Sequence, residues 1–130
     1  MKRFQERHGI DKFKMNPHFP VMSLQIIRGA VGAQQDGYLD KYIDEVLKHM
    51  WEEPKKMDDP EVIKEAFTES GFDADRLMNQ MQDPNIKAQL IENTENAVKR
   101  GAFGIPTFFV GDDIYFGKDT LWQVEEALAK

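Results

Sequence analysis

Between residues 23 and 100 the apolar positions recur every three or four residues, the spacing of helices that each bury one face. Leu24, Ile27, Ala30 and Val31 mark a first stripe, with Ser23 as a candidate N-cap and Gly37 at the far end. Gly29 and Gly32 inside it lower helix propensity by roughly 1 kcal/mol each, which predicts close approach of another backbone. Tyr42, Ile43, Val46, Leu47 and Met50 form a second stripe over residues 39–52, stopped by Pro54. Asp59-Pro60 sets a cap before a proline at the first helical position and opens a helix through Val62, Ile63, Ala66 and Phe67 to Gly71. Asp73 caps a short helix carrying Leu77, Met78 and Met81. Asp83-Pro84 repeats the cap-proline device ahead of a long stripe of Ile86, Ala88, Leu90, Ile91, Thr94, Ala97 and Val98, closed by Gly101.

Ahead of this region, residues 2–8 read as a short helix stopped by Gly9. The stretch 10–20 includes Asn16-Pro17-His18-Phe19-Pro20, whose prolines forbid a helix, and it is expected to join elements without packing. After Gly101 the pattern changes. Thr107 to Val110 is a β-branched and aromatic run, Gly111-Asp112-Asp113 a turn, and Ile114-Tyr115-Phe116 a second short strand, so a hairpin is predicted. Asp119 can cap a last helix with a buried stripe of Leu121, Val124, Ala127 and Leu128.

Composition fits one soluble unit over residues 1–130. The chain is 41% hydrophobic and 31% charged, and it carries a formal charge of -6 with no basic stripe, which argues against nucleic-acid binding. No run approaches the roughly 18 apolar residues of a membrane span, and no apolar core follows the basic start as a signal peptide requires; a cytoplasmic protein is expected. The absence of cysteine removes thiol chemistry, and His8, His18 and His49 lack metal-ligand spacing. The seven methionines read as core filler.

The hairpin raises a difficulty. Two short strands are unstable alone in water, and Phe108, Phe109, Val110 and Ile114 are apolar on both faces, as in strands packed between layers. No third strand is evident in the first 100 residues, unless Lys12 to Met15 forms a short one. An uncovered edge of this kind predicts a homo-oligomer, a dimer formed by strand pairing or swapping.

Chemistry concentrates in the last 30 residues. Gly101-Ala102-Phe103-Gly104-Ile105-Pro106-Thr107 sets a proline at the mouth of a strand, where it can only start the strand or sit at an edge. A cis bond there would turn the Ile105 N–H and C=O outward to pair with an extended peptide ligand. Phe116-Gly117-Lys118-Asp119 adds free amides at a helix start, suited to a carboxylate, and an acid suited to an ammonium. Read on its residues alone, Asp119 is an N-cap.

Together these motifs resemble the closing half of the thioredoxin-like fold in 2-hydroxychromene-2-carboxylate isomerases and kappa-class glutathione transferases, a DsbA-like group. Pro17-His18-Phe19-Pro20-Val21-Met22-Ser23-Leu24 with Arg28 is similar to the loop and first inserted helix of the same family. The resemblance covers nearly the whole chain. It implies a mostly α fold with a small β-hairpin: an N-terminal helix and loop over 1–22, an α-helical insertion domain over 23–100, and the C-terminal ββα half of a thioredoxin-like domain over 101–130. It further implies glutathione as cofactor, a cis-Pro106, Ile105 backbone atoms pairing with the cysteinyl part of glutathione, and Asp119 at its γ-glutamyl end, with Lys118 beside it among the cofactor-binding residues. Lys118 stands where relatives often have Ser, Asn or Gln, and Thr120 where many have Arg.

The family's catalytic residue lies in a β-α-β unit that this chain is expected to lack, since Met1 matches an internal position. No catalytic residue can then be named, and Ser23 and Ser70 read as cap and loop. The implied activity is glutathione-dependent cis-trans isomerisation of a small aromatic substrate, with this piece inactive alone. The alternatives are a non-catalytic oligomerising or binding module, and a disulfide oxidoreductase whose cysteines lie upstream.

Overall fold

The computed structural model describes residues 1–130 and contains seven α-helices, a short 3-10 turn and one two-stranded hairpin. The chain forms two compact units, Met1–Leu90 and Ile91–Lys130. This division differs from the single unit read from composition, and it falls inside the long helix instead of at Gly101. The reason is local: Ile86 near the helix start is 2% exposed, whereas Ile91 is 60% exposed and Ile86 is the helix's only buried residue.

The first unit holds α1 (Lys2–His8), α2 (Leu24–Gln35), α3 (Leu39–Trp51), α4 (Pro60–Glu69), α5 (Ala74–Gln80) and the start of α6 (Pro84–Lys99). Helix α1 ends at Gly9, which adopts φ 63° and returns its N–H to the Gln5 carbonyl. Asp59, Asp73 and Asp83 accept hydrogen bonds from the backbone N–H groups of Glu61, Arg76 and Asn85, so the three predicted starts have side-chain caps. Ser23 stands at the N-cap of α2 but makes no capping bond.

Helix α2 packs on α3 and α5, and α4 packs on α5. Between them lie Ile26, Ala33, Tyr42, Val46, Met50, Met57, Ile63, Phe67, Leu77 and Met81. An aromatic group closes one side, with Phe72 5.3 Å from Tyr38 and 5.8 Å from Tyr42 between ring centroids. Each large side chain buried here contributes about 1.5–3 kcal/mol relative to exposure.

The buried face of α2 is the predicted one only in part: Val31 is buried and Ala30 packs against the core. Leu24 and Ile27 are 44% and 43% exposed, and the face turned inward carries Ile26, Gly29, Val31, Gly32 and Ala33. The glycines admit side chains, not a second backbone: a Cβ on Gly29 would lie 2.3 Å from Tyr42 Oη, and one on Gly32 would lie 2.6 Å from Gln80 Oε1. On α3, Tyr42, Val46, His49 and Met50 are buried while Ile43 and Leu47 remain exposed, which narrows the predicted stripe.

The segment 10–20 packs, contrary to expectation. Asn16 is 2% exposed and donates from Nδ2 to the carbonyls of Met50 and Lys55, at 3.1 and 2.9 Å, while its Oδ1 accepts from the His18 N–H. Phe13 stacks on Trp51 at 5.5 Å and Phe19 lies 5.9 Å from the same ring. Lys12 to Met15 is not a strand, although the Lys14 N–H reaches the Trp51 carbonyl.

The second unit holds β1 (Thr107–Val110), β2 (Asp113–Phe116), a 3-10 turn over Lys118–Thr120, and α7 (Leu121–Leu128), which packs on β1. The strands pair antiparallel, Thr107 with Phe116, Phe108 with Tyr115, Phe109 with Ile114 and Val110 with Asp113. Gly111 opens the two-residue turn at φ 60°, as a tight hairpin needs. No residue of this unit is buried. The stripe predicted for α7 stays open, with Leu121 48% and Leu128 71% exposed, because two strands offer too little surface to cover it. No helix of the chain is long and apolar enough to cross a membrane.

Candidate functional site

The approach to the hairpin is fixed by glycines that make room for β2. Gly101 adopts φ 104°, and a Cβ there would stand 2.8 Å from Ile114 Cδ1. At Gly104 the same addition would stand 2.9 Å from the Phe116 ring. These contacts hold the segment after α6 against the face of the hairpin formed by Phe109, Ile114 and Phe116. Arg100 lies on that face too, its guanidinium 3.8 Å from the Phe109 ring centroid and its Nη2 donating to the Gly111 carbonyl. Thr107 Oγ1 donates to the Gly104 carbonyl at 2.6 Å, tying the turn to the strand.

The Ile105–Pro106 peptide is cis, and so is Phe19–Pro20, for which no cis bond was expected. The Gly117 N–H donates to the Pro106 carbonyl at 2.9 Å, one step beyond the Thr107–Phe116 pair. That bond fixes the phase of the ladder. Residues 106, 108 and 110 direct their backbone polar groups toward β2, and Thr107 and Phe109 direct theirs to the open edge of β1. Ile105 lies just outside the ladder, 92% exposed, opposite Lys118 in the continued register.

The four residues expected at a ligand site therefore collect at one end of the hairpin. Ile105 and Pro106 enter it, and Lys118 and Asp119 leave it. Lys118 Nζ contacts Asp119 Oδ1 at 3.0 Å, with the two side chains 45% and 85% exposed. Asp119 does not cap the last helix. It sits within the 3-10 turn, Thr120 holds the N-cap position of α7, and Thr120 Oγ1 donates to the Gly117 carbonyl at 2.7 Å. A tight turn between Gly117 and Leu121 displaces Asp119 from the capping position.

An aromatic pair beside this end was not foreseen as part of a site. The rings of Phe103 and Phe116 lie 4.7 Å apart, and Phe103 is 77% exposed. The sequence signal is an aromatic residue on each side of the hairpin mouth, both next to glycines. Of the two serines, Ser23 makes no cap bond, and Ser70 is not a free loop residue: its Oγ lies 2.7 Å from both Glu45 Oε2 and His49 Nε2. No cluster of three His, Asp or Glu side chains is placed to hold a metal ion.

A hairpin entered through a cis-proline and followed by a terminal helix, after a helical segment in the sequence, defines the closing half of a thioredoxin-like domain with a helical insertion. A family model described as the DSBA-like thioredoxin domain matches residues 1–129, and the chain belongs to that family. A solved structure of 2-hydroxychromene-2-carboxylate isomerase superposes with a TM-score of 0.84 at 22% identity, over 98% of this chain and 62% of the other. The 2-hydroxychromene-2-carboxylate isomerase of Pseudomonas putida is 27% identical over 92 residues, 68% of this chain and 44% of the relative. Human glutathione S-transferase kappa 1 is 28% identical over 122 residues, 80% of this chain and 54% of the relative. The chain thus spans about half the length of the curated relatives it matches.

Proposed function

We propose that the hairpin end is a glutathione-binding half-site and that the chain works in a glutathione-dependent isomerase of the 2-hydroxychromene-2-carboxylate type, acting on a small aromatic substrate. The observation that carries this reading is the juxtaposition of Ile105 with Lys118 and Asp119. Ile105 offers backbone groups outside the ladder, in the manner of a strand that pairs with an extended peptide. Lys118 and Asp119 offer opposite charges that match the carboxylate and ammonium of a γ-glutamyl group. Their mutual ion pair is exposed, so exchanging it for a ligand's charges costs little. The names of the relatives in Pseudomonas putida and human support the choice of chemistry.

Bound glutathione supplies a thiol whose deprotonated form is a nucleophile. The residues of this chain bind and orient it. Thr107 Oγ1 and Thr120 Oγ1 both donate to backbone carbonyls, and the chain has no cysteine. In this reading the segment alone binds glutathione without turning over substrate. A second copy of the chain covers the open edge of β1, making a dimer. A non-catalytic binding module is the alternative.

Calorimetric titration of the 130-residue chain with glutathione tests the reading. Millimolar-range binding that is weakened by Asp119→Asn and by Lys118→Met supports it. No heat at millimolar ligand contradicts it. Heat that neither variant changes places the binding elsewhere and also contradicts the site.

A further inference from the structure

In the first unit, a buried imidazole stands between a lysine and a serine. His49 is 2% exposed. Its Nδ1 lies 3.0 Å from Lys55 Nζ and its Nε2 lies 2.7 Å from Ser70 Oγ, which in turn lies 2.7 Å from Glu45 Oε2. Donor counting settles the protons. The Glu45 carboxylate can only accept, so it takes the single hydroxyl hydrogen of Ser70. Ser70 Oγ must then accept from His49 Nε2–H, which leaves Nδ1 with a lone pair for the ammonium of Lys55. Every donor has an acceptor when the imidazole is neutral, and none is left over.

A proton can add to this ring only at Nδ1, where it would face an ammonium. The charged and titratable groups around the ring are Glu45 and Lys48 from α3, Lys55 and Glu53 from the connection after it, and Glu69 at the end of α4. Glu69 and Glu53 stand 3.4 and 3.7 Å from Lys55 Nζ, so the lysine has carboxylates to turn to when the imidazole is charged. Burial, and then the charge of Lys55, hold His49 below the ordinary histidine range.

Lys55 is also tied to the loop before α2. Its N–H donates to the His49 carbonyl at 2.9 Å, and its own carbonyl accepts from Asn16 Nδ2 at 2.9 Å. Asn16 in turn receives the His18 N–H. One residue thus joins the imidazole to the anchor of the 10–20 segment.

We infer that the chain Lys55–His49–Ser70–Glu45 is a proton-operated latch: neutral His49 locks the ends of α3 and α4 to the connection around Lys55, and a proton on Nδ1 frees Lys55 and loosens the Asn16 anchor. The latch is independent of any ligand at the hairpin. It makes the 10–20 loop, with Phe13 and Phe19 on Trp51, sensitive to mild acid.

An NMR titration of the ¹⁵N,¹³C-labelled chain from pH 8 to pH 4.5 tests this. His49 is expected in the Nε2–H tautomer, to titrate below the ordinary histidine range, and to share its midpoint with shifts of the Asn16 side-chain amide and the Lys55 backbone amide. Lys55→Met should raise the His49 midpoint and uncouple Asn16 from it. An Nδ1–H tautomer, a midpoint within or above the ordinary histidine range, or Asn16 signals that ignore that midpoint would each overturn the latch. The wild-type titration decides the matter even if the variant does not fold.

Discussion

Tyr42 donates from Oη to the Ile26 carbonyl at 2.6 Å, passing over Gly29, where an added methyl group would lie 2.3 Å from the same oxygen. The hydrogen bond and the glycine are one device. The phenol fills the space a side chain would take and satisfies a carbonyl inside the bundle, and burial pushes its pKa up.

Gly29→Ala should therefore destabilise the protein although alanine is the better helix former by about 1 kcal/mol. Overpacking of this kind costs about 1–3 kcal/mol. Tyr42→Phe removes the oxygen and costs about 0.5–1.5 kcal/mol by itself. In urea unfolding the double variant should be more stable than the sum of the single losses implies, because the phenylalanine relieves part of the clash. Strict additivity would mean that the two positions do not share this space.

Asn16→Ala should cost about 1–3 kcal/mol, since it strips a buried donor from the Met50 and Lys55 carbonyls at once, of which Lys55 keeps the Met57 N–H. Asp59→Ala, which removes a surface cap, should cost about 1 kcal/mol. Thermal unfolding of both variants checks the order. An Asn16 variant as stable as the wild type would show that the 10–20 loop merely lies on the bundle.

Stability should fall in two steps as the solution is acidified. His49 is held below its ordinary value by burial, then by Lys55, so its contribution is fully present above about pH 6.5 and is lost as pH falls toward its lower folded value. Glu45 is also lowered, first by the Ser70 hydrogen bond, so its contribution persists above the ordinary glutamate range and disappears further down. Urea midpoints between pH 8 and pH 3 should show both declines, and His49→Gln should erase only the upper one. A single decline confined to the carboxylate range in the wild type would contradict this assignment.

Helix positions, the caps at Asp59, Asp73 and Asp83, and the hairpin were legible in the sequence because they rest on local rules. Asp-Pro at a helix start, a glycine after the last turn, and a β-branched run beside a glycine turn each act within a few residues. The buried face of α2 was legible only in part. Its inner surface is shaped by Tyr42 and Gln80, which need the absence of a side chain at Gly29 and Gly32, and an apolar stripe cannot register an absence. The anchoring of Asn16 was hidden by the prolines around it, which announce an irregular segment and say nothing of what it touches. At the hairpin end, turn and strand grammar set Ile105, Pro106, Lys118 and Asp119 beside the strand ends and only the resemblance pointed to a ligand there, while the displacement of Asp119 by the 3-10 turn depends on how Thr120 closes onto Gly117. The Phe103–Phe116 contact needed the register of the strands.

The open edge of β1 gives a test of self-association. Phe109→Pro removes an N–H that points to the free edge and leaves the hairpin's own bonds in place, whereas Phe108→Pro removes a bond to β2. Sedimentation at micromolar concentration should show a dimer for the wild type and a monomer for Phe109→Pro with circular dichroism unchanged. Phe108→Pro should unfold the hairpin. A monomeric wild type would remove the second copy from the account.

The central claim is that one end of the hairpin pairs with glutathione. A ¹⁵N correlation spectrum recorded during glutathione addition tests it most directly. The account expects saturable shifts at the amides of Ile105, Gly117, Lys118 and Asp119, with the bundle unchanged and the response weakened in Asp119→Asn. Shifts absent at millimolar glutathione, or confined to residues of the first unit, would contradict it.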